Sequence, residues 1–410
     1  MTGSELSRLV KLALQNVYLK LSEGDIDSVT NSAHVYLGLL GAPGSVLVRE
    51  LATLADLLSQ PSVMVGPCID DDPVTSTARV GKGLVQHAGW AQVYQPPALR
   101  LFRLESCEVV HPSILMTAEG KVVDDNIGYK NSELCAHAPP EFPGIASSKT
   151  HIVLAERHRD VVSIDSSVVY LPVADNYAAW LFGGLPRLAA FSRCPELSRL
   201  PIVLHGEVKS YHFRSLSALG VASERLLIHG ANVRLKCRQL HYCSTSYLHH
   251  APSLTGIRYV RDRVARALSD FTGPKRLYLA RRKATDRSIL NEDHVVSLFE
   301  RHGFTAIDPE EHSFQTQASL AASAEIIAGP YGANLANLIF AERARKCLIL
   351  ATKPQPEFAR LSSAVCIASW HLVPDAVKLR EGRTFSESYG FVVNLELTRV
   401  MLEVCLSSDV

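Results

Sequence analysis

The chain is short of net charge, aromatic residues, paired cysteine motifs and long apolar runs, and each shortage excludes something. Its 42 Lys and Arg against 41 Asp and Glu leave a formal charge of +1, so no global field draws in DNA, RNA or an anionic membrane. With only 7% aromatic content and no basic-aromatic stripe, a nucleic-acid partner is disfavoured. Any anionic ligand must meet a local cluster. The nine cysteines, Cys68, Cys107, Cys135, Cys194, Cys237, Cys243, Cys347, Cys366 and Cys405, are odd in number and contain no C-x-x-C pair. That pattern suits reduced, buried thiols better than a disulfide framework or a zinc site, and no metal is expected. The longest uncharged stretch, 28–48, is broken by Gly38, Gly41, Pro43 and Gly44 and makes a poor membrane span. The first twenty residues mix charges into an amphipathic pattern and lack the apolar centre of a secretory signal. A cytoplasmic chain, at most peripherally attached to a membrane, is the expectation. No G-x-G-x-x-G follows a strand-like segment, which disfavours a dinucleotide-dependent oxidoreductase.

What is present fits an ordinary globular chain. At 410 residues and 47% hydrophobic content, two or three domains with their own cores are expected. Residues 1–95 read as a helical extension, with Leu6, Leu9, Val10, Ala13 and Val17 at helical spacing and a second periodic run over 46–58. A β-rich lead-in with a reversal at Glu119-Gly120 opens a second unit spanning 96–272. Within it, strand-like 168–173, 201–206 and 225–230 alternate with helix-like 176–193, 210–219 and 254–271. Past the Gly273-Pro274 break, a third unit over 273–375 repeats the alternation: strands at 276–280, 304–308, 325–329 and 347–351, helices at 292–302, 314–323, 333–342 and 357–367. Residues 376–410 are expected to pack back on these units. Alternating β and α segments predict an α/β fold with two parallel, doubly wound sheets, whose ligands sit at the carboxyl ends of strands.

Two motifs in the last α/β unit carry chemistry. The strand at 325–329 runs directly into Pro330-Tyr331-Gly332-Ala333-Asn334 and then into an apolar helix. A glycine turn thereby presents a helix N-terminus, with free N–H groups and the positive dipole end, to a phosphate. Asn334 is placed to cap the helix or to donate to a ligand, and Asn337 follows one turn later. In a plain structural reading this is an ordinary βα turn. The second motif puts Arg281 and Arg282 at a strand end, then Lys283 and Arg287, then Asn291-Glu292-Asp293 at a helix start. Arginine forks suit phosphate oxygens. The plain alternative is a solvated loop followed by carboxylates that favour a helix N-terminus.

Tyr278-Leu-Ala-Arg281, Arg287, Asn291-Glu292, Gly303-Phe304, Gln317, Ala324 and the closing IIAGPYGANLANLIF run resemble the C-terminal signature of glycosyltransferase family 61. That family includes bacterial capsular polysaccharide enzymes, plant xylosyl- and arabinosyltransferases and eukaryotic N-acetylglucosaminyltransferases. Asn176-Tyr177-x-x-Trp180-Leu181 followed by Leu185-Pro186-Arg187 is similar to its N-terminal-domain helix. The resemblance implies a GT-B-like arrangement of two Rossmann-like domains facing a cleft. It also implies an inverting, metal-independent transfer from a nucleotide-sugar donor to a glycan acceptor, without a cofactor. Candidate substrate-binding residues are Arg281, Arg282, Arg287, Asn291, Glu292, Gln317, Tyr331, Gly332, Ala333, Asn334 and Asn337.

The chain departs from the family pattern at four points: Tyr331 stands where His is usual, Ala179 and Gly183 replace polar groups, and Ile349 stands near a usual Glu. Two readings follow. One is a divergent active transferase whose base comes from Asp175, His205, His249 or His250, with Asp175 first because it precedes a helix at a strand end. Its plain role would be a helix cap. The other is a degenerate relative that binds nucleotide or glycan, or supports a partner, without turnover.

Overall fold

The computed structural model describes residues 3–40, 45–82, 85–112, 114–123, 144–148, 150–156, 160–174, 176–248, 251–268, 272–284, 287–373, 376–379 and 389–407. The fold is mixed α/β and carries two large sheets. In the first, four parallel strands lie in the order Leu226–His229, Ile202–His205, Asp160–Pro172, Val233–Cys243. Numbered along the chain this is 3-2-1-4, the order of a mononucleotide-binding half. Val168 to Leu171 are all fully buried, as expected for a strand covered on both faces. Further strands, mostly antiparallel, extend the sheet beyond Val233–Cys243, beginning with Leu99–His111.

The second sheet has seven strands in the order Thr305–Ile307, Arg276–Leu279, Ile326–Pro330, Lys346–Leu350, Ala368–Val373, Val74–Lys82, Val85–Tyr94. All are parallel except the last, which folds back as a hairpin on Val74–Lys82. The five strands between 276 and 373 therefore run 2-1-3-4-5, and the chain reverses its direction of winding between Arg276–Leu279 and Ile326–Pro330. Crevices at such reversals are where α/β sheets bind ligands.

One apolar cluster spans both sheets. It joins Val169, Leu171 and Ile202 of the first to Leu277, Leu279, Ile327 and Ile349 of the second through Trp180, Phe182, Ile257, Val260, Leu335 and Ile339. The helix Leu254–Ala267 is central to this join: Leu254, Ile257, Val260 and Val264 recur at helical spacing and are buried, while Arg258, Arg263 and Arg266 are not. Ser253 caps it by accepting from the Gly256 N–H, and Asp71 accepts from Ser253 Oγ, Thr255 N–H and Thr255 Oγ1 at its positive end. The C-terminal helix Leu395–Ser407 covers the far side of the second sheet with Leu397, Met401, Leu402 and Cys405. No described helix is long and apolar enough to cross a membrane.

Several sequence expectations need correction. Within 1–95 only Gly3–Glu23, Ile26–Leu39 and Leu54–Leu57 are helical; 46–58 is mostly the strand Ser45–Ala52, paired with His151–Glu156. A short apolar run does not distinguish helix from strand, and pairing decides. Val74–Lys82 and Val85–Tyr94 are not part of a helical extension but two strands of the second sheet. The strand Val233–Cys243 went unread because Arg234, Lys236, Arg238 and Gln239 interrupt its apolar pattern. The single helix expected over 176–193 is four short pieces, Tyr177–Ala179, a π turn Trp180–Gly184, a 3₁₀ turn Leu185–Arg187 and Leu188–Phe191. Pro186 lacks the N–H a continuous helix needs, and Gly184 is packed so close to the Trp180 ring that any side chain would collide with it.

Gly256 is packed tightly in the join: a Cβ there would lie 2.6 Å from Pro186 Cβ and 3.2 Å from its carbonyl oxygen. Helix propensity alone favours Gly256→Ala by up to about 1 kcal/mol. The collision reverses that sign, and the variant is predicted to lose about 1–3 kcal/mol of stability, measured by urea unfolding; a stabilised variant would show that the join yields freely.

Candidate functional site

A cavity of about 430 Å³ opens between the two sheets, lined on one side by Asn176, Tyr177, Ser210, Tyr211 and Arg214 and on the other by Ala280, Arg281, Glu310, His312, Ser313, Gln317, Ala333 and Asn334, among others. Every one of these follows the carboxyl end of a parallel strand: Asp160–Pro172 and Ile202–His205 on the first wall, Arg276–Leu279, Thr305–Ile307 and Ile326–Pro330 on the second. The cavity therefore occupies the winding reversal of the second sheet.

On the second wall the glycine turn has a specific steric purpose. The Arg281 guanidinium lies directly over Gly332, where a Cβ would approach its Cζ to 2.5 Å, and Arg281 Nη1 donates to the Tyr331 carbonyl at 2.9 Å. Gly332 itself is extended, with φ 167°. The following helix, Ala333–Phe340, is 3₁₀ rather than α, and no side chain caps it. Asn334 instead turns its Nδ2 back to the Leu279 carbonyl, 2.8 Å away, tying two neighbouring strand ends together. Its Oδ1 is buried without a hydrogen-bond partner.

Below this wall runs a buried polar chain. Tyr177, from the first wall, donates its hydroxyl to Asn337 Oδ1 at 2.9 Å; Asn337 Nδ2 donates to Gln317 Oε1 at 3.0 Å and to the Asn334 carbonyl at 3.0 Å. Gln317 Nε2 in turn donates to the carbonyls of Pro309 and His312. The loop that carries Glu310, His312 and Ser313 to the cavity is thereby fixed to the first sheet through three side chains. On the first wall, His212 is buried against Trp180 and Tyr211. Its Nδ1 accepts from the Lys209 N–H at 2.8 Å, which leaves the proton on Nε2 to donate to the Ala174 carbonyl at 3.1 Å. Burial pushes this imidazole down to about 4, so at neutral pH it is an uncharged strut for the segment before Asn176.

The cavity gathers Arg281, Gln317, Ala333 and Asn334 from the residues anticipated by sequence, with Gly332 and Tyr331 beside them and Asn337 beneath. The remaining ones lie elsewhere. Arg282 pairs with Asp308 and, at 3.3 Å, with Asp293, and Lys283 pairs with Glu311 at 2.7 Å. Arg287 adopts a left-handed backbone, φ 52°, and stacks on the Tyr331 ring with its Cζ 4.9 Å from the centroid. The Tyr331 hydroxyl donates to Glu357 at 3.1 Å, and Glu357 also accepts from Tyr247 at 2.5 Å. Asn291 exchanges two hydrogen bonds with the backbone of Val393. Glu292 is buried under the turn, accepting from the Arg281 N–H at 2.9 Å and the Tyr278 hydroxyl at 3.4 Å, and burial raises its carboxyl above the usual range.

Asp175, His249 and His250 lie outside the described residues. His205 is fully buried with Nε2 2.8 Å from the Val233 carbonyl, away from the cavity. Tyr211, Arg214, Glu310 and His312 were not anticipated. The strand-end rule points to 310–313, directly after the strand at 305–307, whereas nothing local marks Arg214. Among the described residues no group of three or more His, Cys, Asp or Glu is arranged to hold a metal ion.

Residues 177–348 match the family model described as Glycosyltransferase 61. The matched span contains both cavity walls except Asn176 and ends in the strand after the 3₁₀ helix. No curated protein matches the chain.

Two predictions come from this geometry. Asn337→Ala leaves Tyr177 and Gln317 unpartnered in a buried site and is predicted to cost about 2–4 kcal/mol, read by urea unfolding; a loss below the error of that method would mean the polar chain is dispensable. Burial also holds His371 down, to about 4. Between pH 6.5 and about 4 the unfolded chain takes up protons that His212 and His371 refuse when folded, so stability is unaffected above 6.5 and falls as pH drops through that window. Urea midpoints from pH 7.5 to 4.5 are expected to decline, and less steeply in His212→Gln; identical slopes in the two proteins would count against it.

Proposed function

The chain belongs, through residues 177–348, to glycosyltransferase family 61, and from that premise we propose that it moves a sugar from a nucleotide-activated donor to a hydroxyl of a glycan acceptor. The observation that carries this reading is the placement of Arg281 over Gly332 at the winding reversal of the second sheet, on the wall of a cavity shared by two parallel units. Departure of a nucleoside diphosphate develops negative charge at the leaving oxygen. A guanidinium held by the Tyr331 carbonyl, beside the uncapped start of a 3₁₀ helix, stabilises that charge without reorganising. The arrangement is GT-B-like, with the donor on the second wall and the acceptor on the first.

A single in-line displacement across the cavity inverts the anomeric carbon, and cationic stabilisation by Arg281 lets it proceed without a resident metal. The base removes the acceptor hydroxyl's proton from the first wall. Asp175, whose chain neighbour Asn176 lines that wall, is proposed for this role. The transfer is of a hexosyl or pentosyl group in polysaccharide biosynthesis on the cytoplasmic side, with at most peripheral attachment to a membrane. Tyr331 favours a second reading, binding without turnover, because its phenol is committed to Glu357 and its ring to Arg287.

Gly332→Ala is the sharpest test. The extended backbone accepts alanine, so the fold and melting temperature should hold, while displacement of Arg281 should weaken binding of uridine or guanosine diphosphate by roughly tenfold or more. No thermal shift of the native protein with any common nucleoside diphosphate or monophosphate would sink the proposal. Asp175→Asn is expected to abolish release of nucleotide from activated sugars while nucleotide binding persists; unchanged turnover eliminates Asp175, and absence of turnover in the native protein across a donor and acceptor panel selects the second reading.

A further inference from the structure

The first wall differs from the second in the state of its charge. Arg281 is docked on the Tyr331 carbonyl, and Arg282 and Lys283 are matched to carboxylates. Arg214, on the helix Ser210–Ala218, is exposed, lines the cavity and makes no ion pair or hydrogen bond among the described residues. Beside it stand Tyr177 and Tyr211, packed edge to face with centroids 5.3 Å apart. Both phenols are already engaged, Tyr177 with Asn337 and Tyr211 with the Ala174 carbonyl at 3.4 Å. Their remaining capacity is apolar ring surface. Ser210 adds a hydroxyl. Aromatic surface that packs against a pyranose, with one uncommitted cation next to it, is the composition of a subsite for a sugar bearing a negative charge.

Resting on the transferase reading, we propose that the acceptor sugar is anionic, carrying a carboxylate or a phosphate that Arg214 binds from the first wall. Glu310, the carboxylate among the residues lining the opposite wall, repels that group and so orients the sugar with its charge toward Arg214 and its hydroxyl edge toward the donor. The donor diphosphate and the acceptor anion are thus held by different arginines on different walls. Arg214 acts as a specificity residue and not on the reacting atoms.

Binding of methyl β-glucuronide, galactose 6-phosphate and methyl β-glucoside by saturation-transfer NMR, each with uridine diphosphate present, tests this. At least one charged sugar is expected to bind roughly tenfold more tightly than the glucoside, and which one does separates the carboxylate from the phosphate. Arg214→Gln should erase that preference with melting temperature and nucleotide shift unchanged, and Arg214→Lys should restore part of it. Equal binding of charged and neutral sugars, or no binding of either charged sugar, overturns the inference. Loss of the nucleotide shift in Arg214→Gln also overturns it, because Arg214 then belongs to the donor. A charged-sugar preference in a native protein that binds no nucleotide leaves the subsite standing and removes the transferase reading instead.

Discussion

The structure hangs on a buried amide. Asn337 has no exposure, and its two polar atoms make three contacts that reach the short helix after a strand of the first sheet, the helix Phe314–Ser323 beside the second, and its own helix. An apolar residue of the same size would fill the space but would leave a tyrosine hydroxyl and a glutamine carbonyl without partners, which is costly in a dry interior. Apolar packing between the sheets is extensive but nondirectional; the amide gives the join one register. Because Gln317 passes that register to the carbonyls of Pro309 and His312, the cavity's floor and its rim are a single hydrogen-bonded object.

Charge is distributed by the same economy. The sequence places four cations within seven residues, Arg281 to Arg287, yet the fold separates them: two are answered by Asp293, Asp308 and Glu311, one stacks on Tyr331, and one reaches the cavity wall. Arg281 is held at that wall by the Tyr331 carbonyl, and its position is set by the strand end it follows rather than by its spacing from the other three cations.

This explains what was legible beforehand. The alternation of strands and helices after 168, the glycine turn at 332 and the strand-end position of Arg281 are local patterns, and they recur in the structure, though 176–193 breaks into four short pieces and the helix after Gly332 is 3₁₀. The strands Val74–Lys82 and Val85–Tyr94 are hidden because the place of the first is set by a partner remote in sequence, and Val233–Cys243 because Arg234, Lys236, Arg238 and Gln239 interrupt its apolar pattern. Asn291 and Glu292 were read as ligand groups because they begin a helix near the arginines. In space, Asn291 clasps Val393 and Glu292 supports the Arg281 backbone, contacts with no trace in a one-dimensional pattern. Arg214 and Tyr211 were missed for the opposite reason, since only the apposition of two sheets makes them neighbours of Arg281.

The hairpin Val74–Tyr94 also sets the order in which the molecule can be made. Ala78 pairs with Ser369, so the second sheet cannot complete its parallel edge until the chain as far as Ser369 has left the ribosome. At roughly 5–20 residues per second the hairpin waits for tens of seconds beside a first sheet that is already able to form. Contacts of such long sequence separation are slow to close, and an unpaired strand edge is a template for pairing with other chains. Hairpin closure back onto Val74–Lys82 by Val85–Tyr94 covers one of the two exposed edges during that interval, leaving the other reserved for Ala368–Val373.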